Sequence, residues 1–327
     1  MTTISLPLSS IKLDAPVAAA VTEGLLSQPK GLPSWLFYDA AGSRLFDQIT
    51  ELPEYYVTRT ERSILAARAE EMIALAAGAD ALHLVELGAG SCDKTRILLR
   101  AAVDRQDTVL YEPVDVSATA LEEARRRIED EISGVLVCPR VCDYTHGFTL
   151  DPPLHGHRRL VLYIGSSIGN FEPHQAHRLL GNIRAALVPG DSILLGVDLV
   201  KDEGTLLDAY DDAAGVTAEF NRNILVRLNR ELGANFDPQG FAHRARWNPS
   251  HSRIEMHLES RILQMVRIPS LDLRIRFAAG ETIHTENSYK YRPGQAERLL
   301  AAAGFQPEHT WSDERGWFAV CLARATS

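Results

Sequence analysis

The stretch Leu84-Val85-Glu86-Leu87-Gly88-Ala89-Gly90-Ser91-Cys92-Asp93-Lys94-Thr95 constrains the fold more than any other. A short apolar run ends in an acid and a Gly-x-Gly turn follows. A helical pattern then runs from Lys94 to Val103, with Ile97, Leu98 and Ala101 on one side. This is the pattern of a strand, a tight loop and a helix N-terminus. Glycines let main chain approach a ligand closely, and a helix N-terminus favours a carboxylate or phosphate. By itself such a turn fits plain tight packing as well as it fits a cofactor site.

The next strand separates these readings. Thr108 to Ser117 carries an acid, Asp115, about 25 residues after the loop, where a carboxylate can accept both hydroxyls of a ribose. Asp93 stands where the dinucleotide fingerprint has its third glycine, so a pyrophosphate is disfavoured. A nucleoside with a small charged tail fits better, and S-adenosylmethionine is one. The competing view makes Asp115 a helix N-cap, but Ser117 serves that purpose equally.

From Leu82 to Val200 strands and helices alternate. Helices are expected at Ala118 to Ser133 and Pro173 to Leu187. Strands are expected at Val135 to Tyr144 and Ser192 to Val200, and Arg159 to Phe171 is expected to be a buried strand that opens into a small-residue loop. Apolar runs this continuous imply a parallel sheet covered on both faces. Acids and small polar residues recur at the carboxyl ends of these strands, where ligands bind in such sheets.

Upstream, Ala15 to Leu26 is an amphipathic helix, broken by Lys30-Gly31-Leu32-Pro33. Aromatics and hydroxyls are dense from Trp35 to Glu61, as in a packed cap or the wall of a pocket. Thr60 is expected to cap a long helix bearing Ile64, Leu65, Ala67 and Met72. Residues 201–285 break the alternation. Thr205 to Leu232 is largely helical, and strands follow at Ala242 to Trp247, Arg253 to Arg261, Leu263 to Ile268 and Leu271 to Phe277. A helix from Pro293 to Ala303 and a hairpin ending in Trp317 to Arg324 suit a sheet finished by an antiparallel strand.

The 327 residues allow a sizeable core in one or two domains. The net charge of −9 argues against nucleic acid as a main partner. Arg125-Arg126-Arg127 fits one solvated helix face. No apolar run approaches the ~20 residues of a membrane span, and Met1-Thr2-Thr3-Ile4-Ser5 does not have the form of a secretion signal. Cys92, Cys138, Cys142 and Cys321 lack zinc spacing and suit a reducing cytoplasm. His155-Gly156-His157 and His174-x-x-His177 lack a second ligand pair, so no metal is expected.

Several long motifs are distinctive: Phe37-Tyr38-Asp39-Ala40, Leu52-Pro53-Glu54-Tyr55-Tyr56, Glu86-Leu87-Gly88-Ala89-Gly90, Gly165-Ser166-Ser167-Ile168-Gly169-Asn170 and Asp198-Leu199-Val200-Lys201-Asp202. With them stand Ala209-Tyr210-Asp211-Asp212-Ala213-Ala214-Gly215-Val216-Thr217, Phe220-Asn221-Arg222-Asn223, Ile254-Glu255-Met256 and Thr285-Glu286-Asn287-Ser288. Through them nearly the whole chain resembles the histidine Nα-methyltransferases of ergothioneine biosynthesis. The resemblance implies a class I (Rossmann-like) α/β methyltransferase sheet with a terminal antiparallel strand, plus a second α+β substrate domain. Residues 61–200 and 286–327 would form the first domain, residues 1–60 and 201–285 the second.

The resemblance assigns S-adenosylmethionine to Gly88, Lys94, Asp115, Asp143 and Tyr144, the last standing where a phenylalanine is common. It assigns the amino-acid substrate to Tyr55, Asn170, Tyr210, Glu286 and Ser288, with Tyr38 near the amine as the catalytic candidate. At Asn287 a small apolar residue is common, so no contact is assigned there. The substrates implied are L-histidine and its mono- and dimethylated forms, and the product is trimethylhistidine. A cytoplasmic monomer is expected.

The chemistry agrees with this. An α-amine must be neutral to attack, and Tyr38, a carboxylate or a water can take its proton. Asn170 and Tyr210 offer neutral donors to an α-carboxylate. Glu286 and Ser288 can grip the two imidazole nitrogens, and such a site rejects side chains lacking them. Another amino acid such as tryptophan is the alternative substrate, but indole offers only one donor. A catalytically idle cofactor-binding protein is the non-enzyme alternative.

Overall fold

The computed structural model describes residues 15–90, 92–152 and 155–326. Met1 to Ser5 and Ser91 lie outside the described residues. In chain order the elements are α1 (Ala15–Leu26), β1 (Lys30–Gly31), α2 (Ala40–Glu51), α3 (Tyr56–Ala77), β2 (Ala81–Leu87), α4 (Thr95–Gln106), β3 (Val109–Asp115) and α5 (Ala118–Glu131). There follow β4 (Val135–Val137), β5 (Arg140–Val141), β6 (His157–Tyr163), α6 (Pro173–Ala185), β7 (Ser192–Asp198), α7 (Glu203–Asp208) and α8 (Val216–Leu232). The chain ends with β8 (Phe241–Asn248), β9 (Arg253–Ser260), β10 (Gln264–Ile268), β11 (Leu273–Phe277), β12 (Thr282–Tyr289), α9 (Gln295–Ala302), β13 (Phe305–Ser312) and β14 (Phe318–Ala325).

These elements fall into two compact units. One holds Tyr55–Glu203, Pro249–Arg253 and the chain from Ser288 onward. Its sheet has eight strands in the order β13-β14-β7-β6-β2-β3-β4, with β5 also on β3. The pairs from β7 through β6, β2 and β3 to β4 are parallel. β14 runs antiparallel to both β7 and β13, as the terminal hairpin implied. All seven residues of β7 are buried, which matches a strand covered on both faces. The core behind the site gathers Val85, Val161, Ile193 and Val197.

The other unit holds the described residues before Tyr55, Gly204–Asn248 and Ile254–Asn287. Its sheet has the order β1-β12-β9-β8, and β10 and β11 form a separate hairpin. β1 is two residues long and pairs parallel with β12, Lys30 opposite Ile283 and Gly31 opposite His284. Among the described residues no helix is long and apolar enough to cross a membrane.

Several sequence expectations shift. Helix α3 begins at Tyr56, four residues before Thr60. The Thr60 hydroxyl turns back to the Tyr56 carbonyl at 2.9 Å, so it bonds within the helix rather than capping it. α3 packs on α4 and on β14, so Tyr55 to Thr60 stay with the eight-stranded sheet and the unit boundary falls before residue 60. The single strand expected over Val135 to Tyr144 is two short ones, because Pro139 has no N–H for the ladder. The stretch Thr205 to Leu232 is largely helical as expected, in two helices, α7 and α8. Gly215 takes a left-handed conformation (φ 76°), and Asp212 caps α8 by accepting the Val216 and Thr217 N–H groups at 2.9 and 2.7 Å.

Candidate active site

The loop after β2 turns on two glycines with positive φ, 69° at Gly88 and 50° at Gly90. The Gly88 N–H donates to the Val114 carbonyl at 2.8 Å, which ties the loop to the end of β3. A Cβ on Gly88 would lie 2.9 Å from the Tyr144 hydroxyl. At Gly90 an added Cβ would meet no heavy atom of the described residues within 4 Å. The loop is therefore a shallow cradle, closed at Gly88 by a phenol and open at Gly90.

Asp115 ends β3 beside this cradle. One carboxylate oxygen accepts the Ser117 N–H at 3.0 Å, and the other faces the Gly90 N–H at 3.5 Å. Ser117 itself caps α5, accepting the Ala120 N–H at 3.2 Å. Capping therefore does not explain Asp115. Asp143 caps a single 3-10 turn, Tyr144–His146, accepting the Thr145 N–H at 2.9 Å. The Tyr144 ring stands edge-on to Tyr163, with centroids 6.0 Å apart. Gly88, Gly90, Asp115 and Tyr144 thus meet at the carboxyl ends of β2 and β3.

Lys94 precedes α4, and its ammonium pairs with Glu61 of α3. Glu61 is fully buried, and its two oxygens also accept the Gly165 N–H, each at 2.9 Å. A Cβ on Gly196 would sit 2.1 Å from a Glu61 oxygen, which is why β7 carries a glycine there. One carboxylate thereby joins the β2 loop to the β6 loop. Sequence reading missed Glu61. Its signal was spacing: an acid three and four residues before Ile64 and Leu65 lies on the apolar face of its helix.

The β6 loop runs from Gly165 to Asn170, the last residue of a 3-10 turn Ser167–Asn170. Ser166 is left-handed at φ 59°, and its hydroxyl accepts the Asp198 N–H at 2.9 Å. A Cβ on Gly169 would lie 2.8 Å from the Tyr289 carbonyl, so only glycine fits that approach. Asp198 is the centre of a second buried cluster. It accepts from the Tyr56 hydroxyl at 2.8 Å, from Lys290 at 2.8 Å and from Lys201 at 2.5 Å. Burial opposes its ionisation, but the Lys290 and Lys201 ammoniums outweigh this and hold its pKa below the ordinary value. Burial lowers Lys201 to about 8. Lys290 also donates to the Ser288 hydroxyl at 2.8 Å. Ser288 is thereby fixed within the same unit as Asn170 and Tyr55, which precedes α3 and is 7% exposed.

The remaining expected residues belong to the other compact unit. Tyr38 follows a 3-10 turn, Ser34–Phe37, with its ring edge-on to Phe46 and Phe220 at 5.8 and 5.9 Å. Tyr210 is buried in the segment between α7 and α8, and Glu286 is half-buried on β12. Among the described residues no group of three or more His, Cys, Asp and Glu is placed to hold a metal ion.

A parallel sheet finished by an antiparallel hairpin, with a Gly-x-Gly loop after its first strand and an acid ending the next, is the architecture expected of a class I S-adenosylmethionine-dependent methyltransferase. A family model described as "Histidine-specific methyltransferase, SAM-dependent" matches residues 17–325. The chain is 50% identical over 303 residues to the Histidine N-alpha-methyltransferase of Mycolicibacterium smegmatis, covering 93% of each chain. It is 48% identical over 303 residues to the protein of that name from Mycobacterium tuberculosis, again covering 93% of each. Ergothioneine biosynthesis protein 1 of Neurospora crassa is 29% identical over 317 residues, which are 90% of this chain and 34% of that longer protein. The chain belongs to the histidine-specific, S-adenosylmethionine-dependent methyltransferase family.

Proposed function

We propose that this methyltransferase acts on the α-amine of L-histidine. Three successive transfers give Nα,Nα,Nα-trimethylhistidine (hercynine), a step toward ergothioneine, with the mono- and dimethylated forms as intermediate substrates. The observation that carries this is the 50% identity, over 93% of both chains, to a protein named for that activity. A cytoplasmic monomer is part of the same reading.

The cradle fits a nucleoside with an amino-acid tail, since it combines close main-chain approach at Gly88 and Gly90, a carboxylate at Asp115 and an ammonium at Lys94. Gly88, Lys94, Asp115, Asp143 and Tyr144 would hold S-adenosylmethionine, which supplies an electrophilic methyl group on a sulfonium. Asp115 offers acceptors for ribose hydroxyls, and Lys94 a counter-charge for the carboxylate tail. Asn170 and Tyr210 bind the substrate carboxylate through neutral donors, and Tyr55 lines the same substrate. Glu286 accepts the imidazole N–H, and Ser288, held by Lys290, meets the second ring nitrogen. Tyr38 stands near the amine and takes part in removing its proton. Positioning does most of the work, because in-line displacement needs the amine and methyl group held at near-attack distance.

The test is direct. Pure protein is incubated with labelled S-adenosylmethionine and each amino acid in turn, and products are weighed by mass spectrometry. Histidine should be methylated to the trimethyl form in preference to all others. Transfer to tryptophan in preference to histidine, or to no amino acid, refutes the reading.

A further inference from the structure

Asn221, in a motif that the chemistry above leaves unused, is fully buried on α8. Its side-chain nitrogen lies 2.8 Å from His243 Nδ1 and donates to the His257 carbonyl at 3.1 Å. Its oxygen accepts the Thr285 hydroxyl at 2.8 Å, a proton shared with the Met256 carbonyl at 3.0 Å. His243, on β8, reaches the Tyr210 carbonyl with Nε2 at 2.8 Å.

The polarity of this chain follows from its ends. A carbonyl only accepts, so His243 carries its proton on Nε2 and Nδ1 accepts from Asn221. Turning the Asn221 amide over would set its oxygen against two acceptors. The hydrogen bonds therefore run one way, from Thr285 through Asn221 and His243 to Tyr210. Burial lowers the pKa of His243 and so favours the neutral ring; Arg222 acts in the same sense, while the Tyr210 carbonyl, Asp211 and Asp212 oppose it. The nearest Asp211 oxygen is 3.9 Å from Nε2.

At one end of the network is Tyr210, and at the other the residue before Glu286, all within one compact unit. We propose that Asn221 and His243 are positioning residues for the amino-acid substrate. They fix Tyr210 relative to Glu286, and so set the spacing between the group that binds the carboxylate and the group that binds the imidazole. This rests on the substrate reading given above. Histidine has one fixed distance between those two features, and small displacements cost a site much of its rate.

The experiment uses the full chain and two variants. Thr285→Val removes one donor with little change of shape. Asn221→Asp replaces the donor facing His243 Nδ1 with an acceptor, so the imidazole must take a second proton to match it. Measured quantities are KM for histidine from pH 6 to 9 (roughly the range that brackets an ordinary imidazole), S-adenosylmethionine affinity by calorimetry, and Tm. Thr285→Val should raise KM about three- to tenfold, the effect of one lost hydrogen bond, with cofactor affinity unchanged. Asn221→Asp should raise KM at high pH and recover toward wild type as pH falls, each value compared with wild type at the same pH. Unchanged KM in both variants with a lowered Tm would show a purely structural network and overturn the proposal, as would equal losses of histidine and cofactor binding. Should Asn221→Asp fail to fold, Thr285→Val decides alone. A wild-type protein that does not methylate histidine fails the substrate reading itself, before any variant is compared.

Discussion

The buried Glu61–Lys94 pair allows a quantitative test of how the β2 and β6 loops are held. Glu61→Gln keeps the side-chain volume but removes the charge that Lys94 faces. It also sets an NH₂ group against either the ammonium or the Gly165 N–H, both of which now donate to Glu61. Removing one partner of a buried pair costs about 3–5 kcal/mol. The Lys94 side chain retains 18% exposure, so the surviving charge is partly solvated and the lower end applies, about 3 kcal/mol. At about 2.1 cal/mol/K of unfolding entropy per residue, a chain of 327 residues moves its Tm by about 1.5 °C for each kcal/mol, giving a fall of roughly 4–5 °C by calorimetry. The pair should be strongly coupled. Glu61→Leu combined with Lys94→Met leaves no orphan charge and should be more stable than either single variant. Glu61→Gln should also weaken S-adenosylmethionine binding, since the Lys94 ammonium loses its anchor. Strictly additive losses in the cycle, or a Tm shift below about 2 °C for Glu61→Gln, would refute the view that this carboxylate holds both loops.

Asp115→Ala should lower S-adenosylmethionine affinity by about 1.5–3 kcal/mol for each charge-assisted hydrogen bond lost, with little change in Tm because Ser117 still caps α5; unchanged affinity in calorimetry rules out its ribose role. Glu286→Ala should lower kcat/KM for histidine about 5–150-fold, from one imidazole N–H left unpaired at roughly 1–3 kcal/mol, and should narrow discrimination against tryptophan and phenylalanine. A histidine preference that survives intact removes Glu286 from the specificity site. Glu86 gives a pH signature. Burial raises its pKa from 4.5 to about 7, against the donors Thr95 and Tyr111. A raised folded-state pKa means that its contribution to stability is full below about 4.5 and is lost as pH climbs to about 7. The stability of wild type minus that of Glu86→Gln should therefore fall across that window, by at most ~1.4 kcal/mol per pH unit, and level off above it. A difference that stays flat in denaturant melts from acid to neutral pH excludes the buried carboxyl as its source.

Sequence alone determined the strand–loop–helix at Leu84 to Val103 and the acid ending the next strand. Each is set by neighbours in the chain: an apolar run, two glycines and a helical period. The buried strands of the eight-stranded sheet and the terminal hairpin were legible for the same reason. So was family membership, because its motifs are contiguous. The site was legible only as a set of residue types.

What tertiary structure decided has partners far apart in the chain. Glu61 meets Lys94 and Gly165, and only the fold shows that its carboxylate is enclosed over Gly196. The two residues of β1 carry no strand pattern of their own and are ordered by pairing with β12. Helix α3 starts at Tyr56 because its packing on α4 and the sheet outweighs the hydroxyl signal at Thr60. The line from Thr285 to Tyr210 joins residues on two strands, a helix and a loop, and its direction comes from which carbonyls happen to face which donors. Hydrogen-bond polarity and burial of charge are properties of assembled neighbours, so no window of sequence contains them.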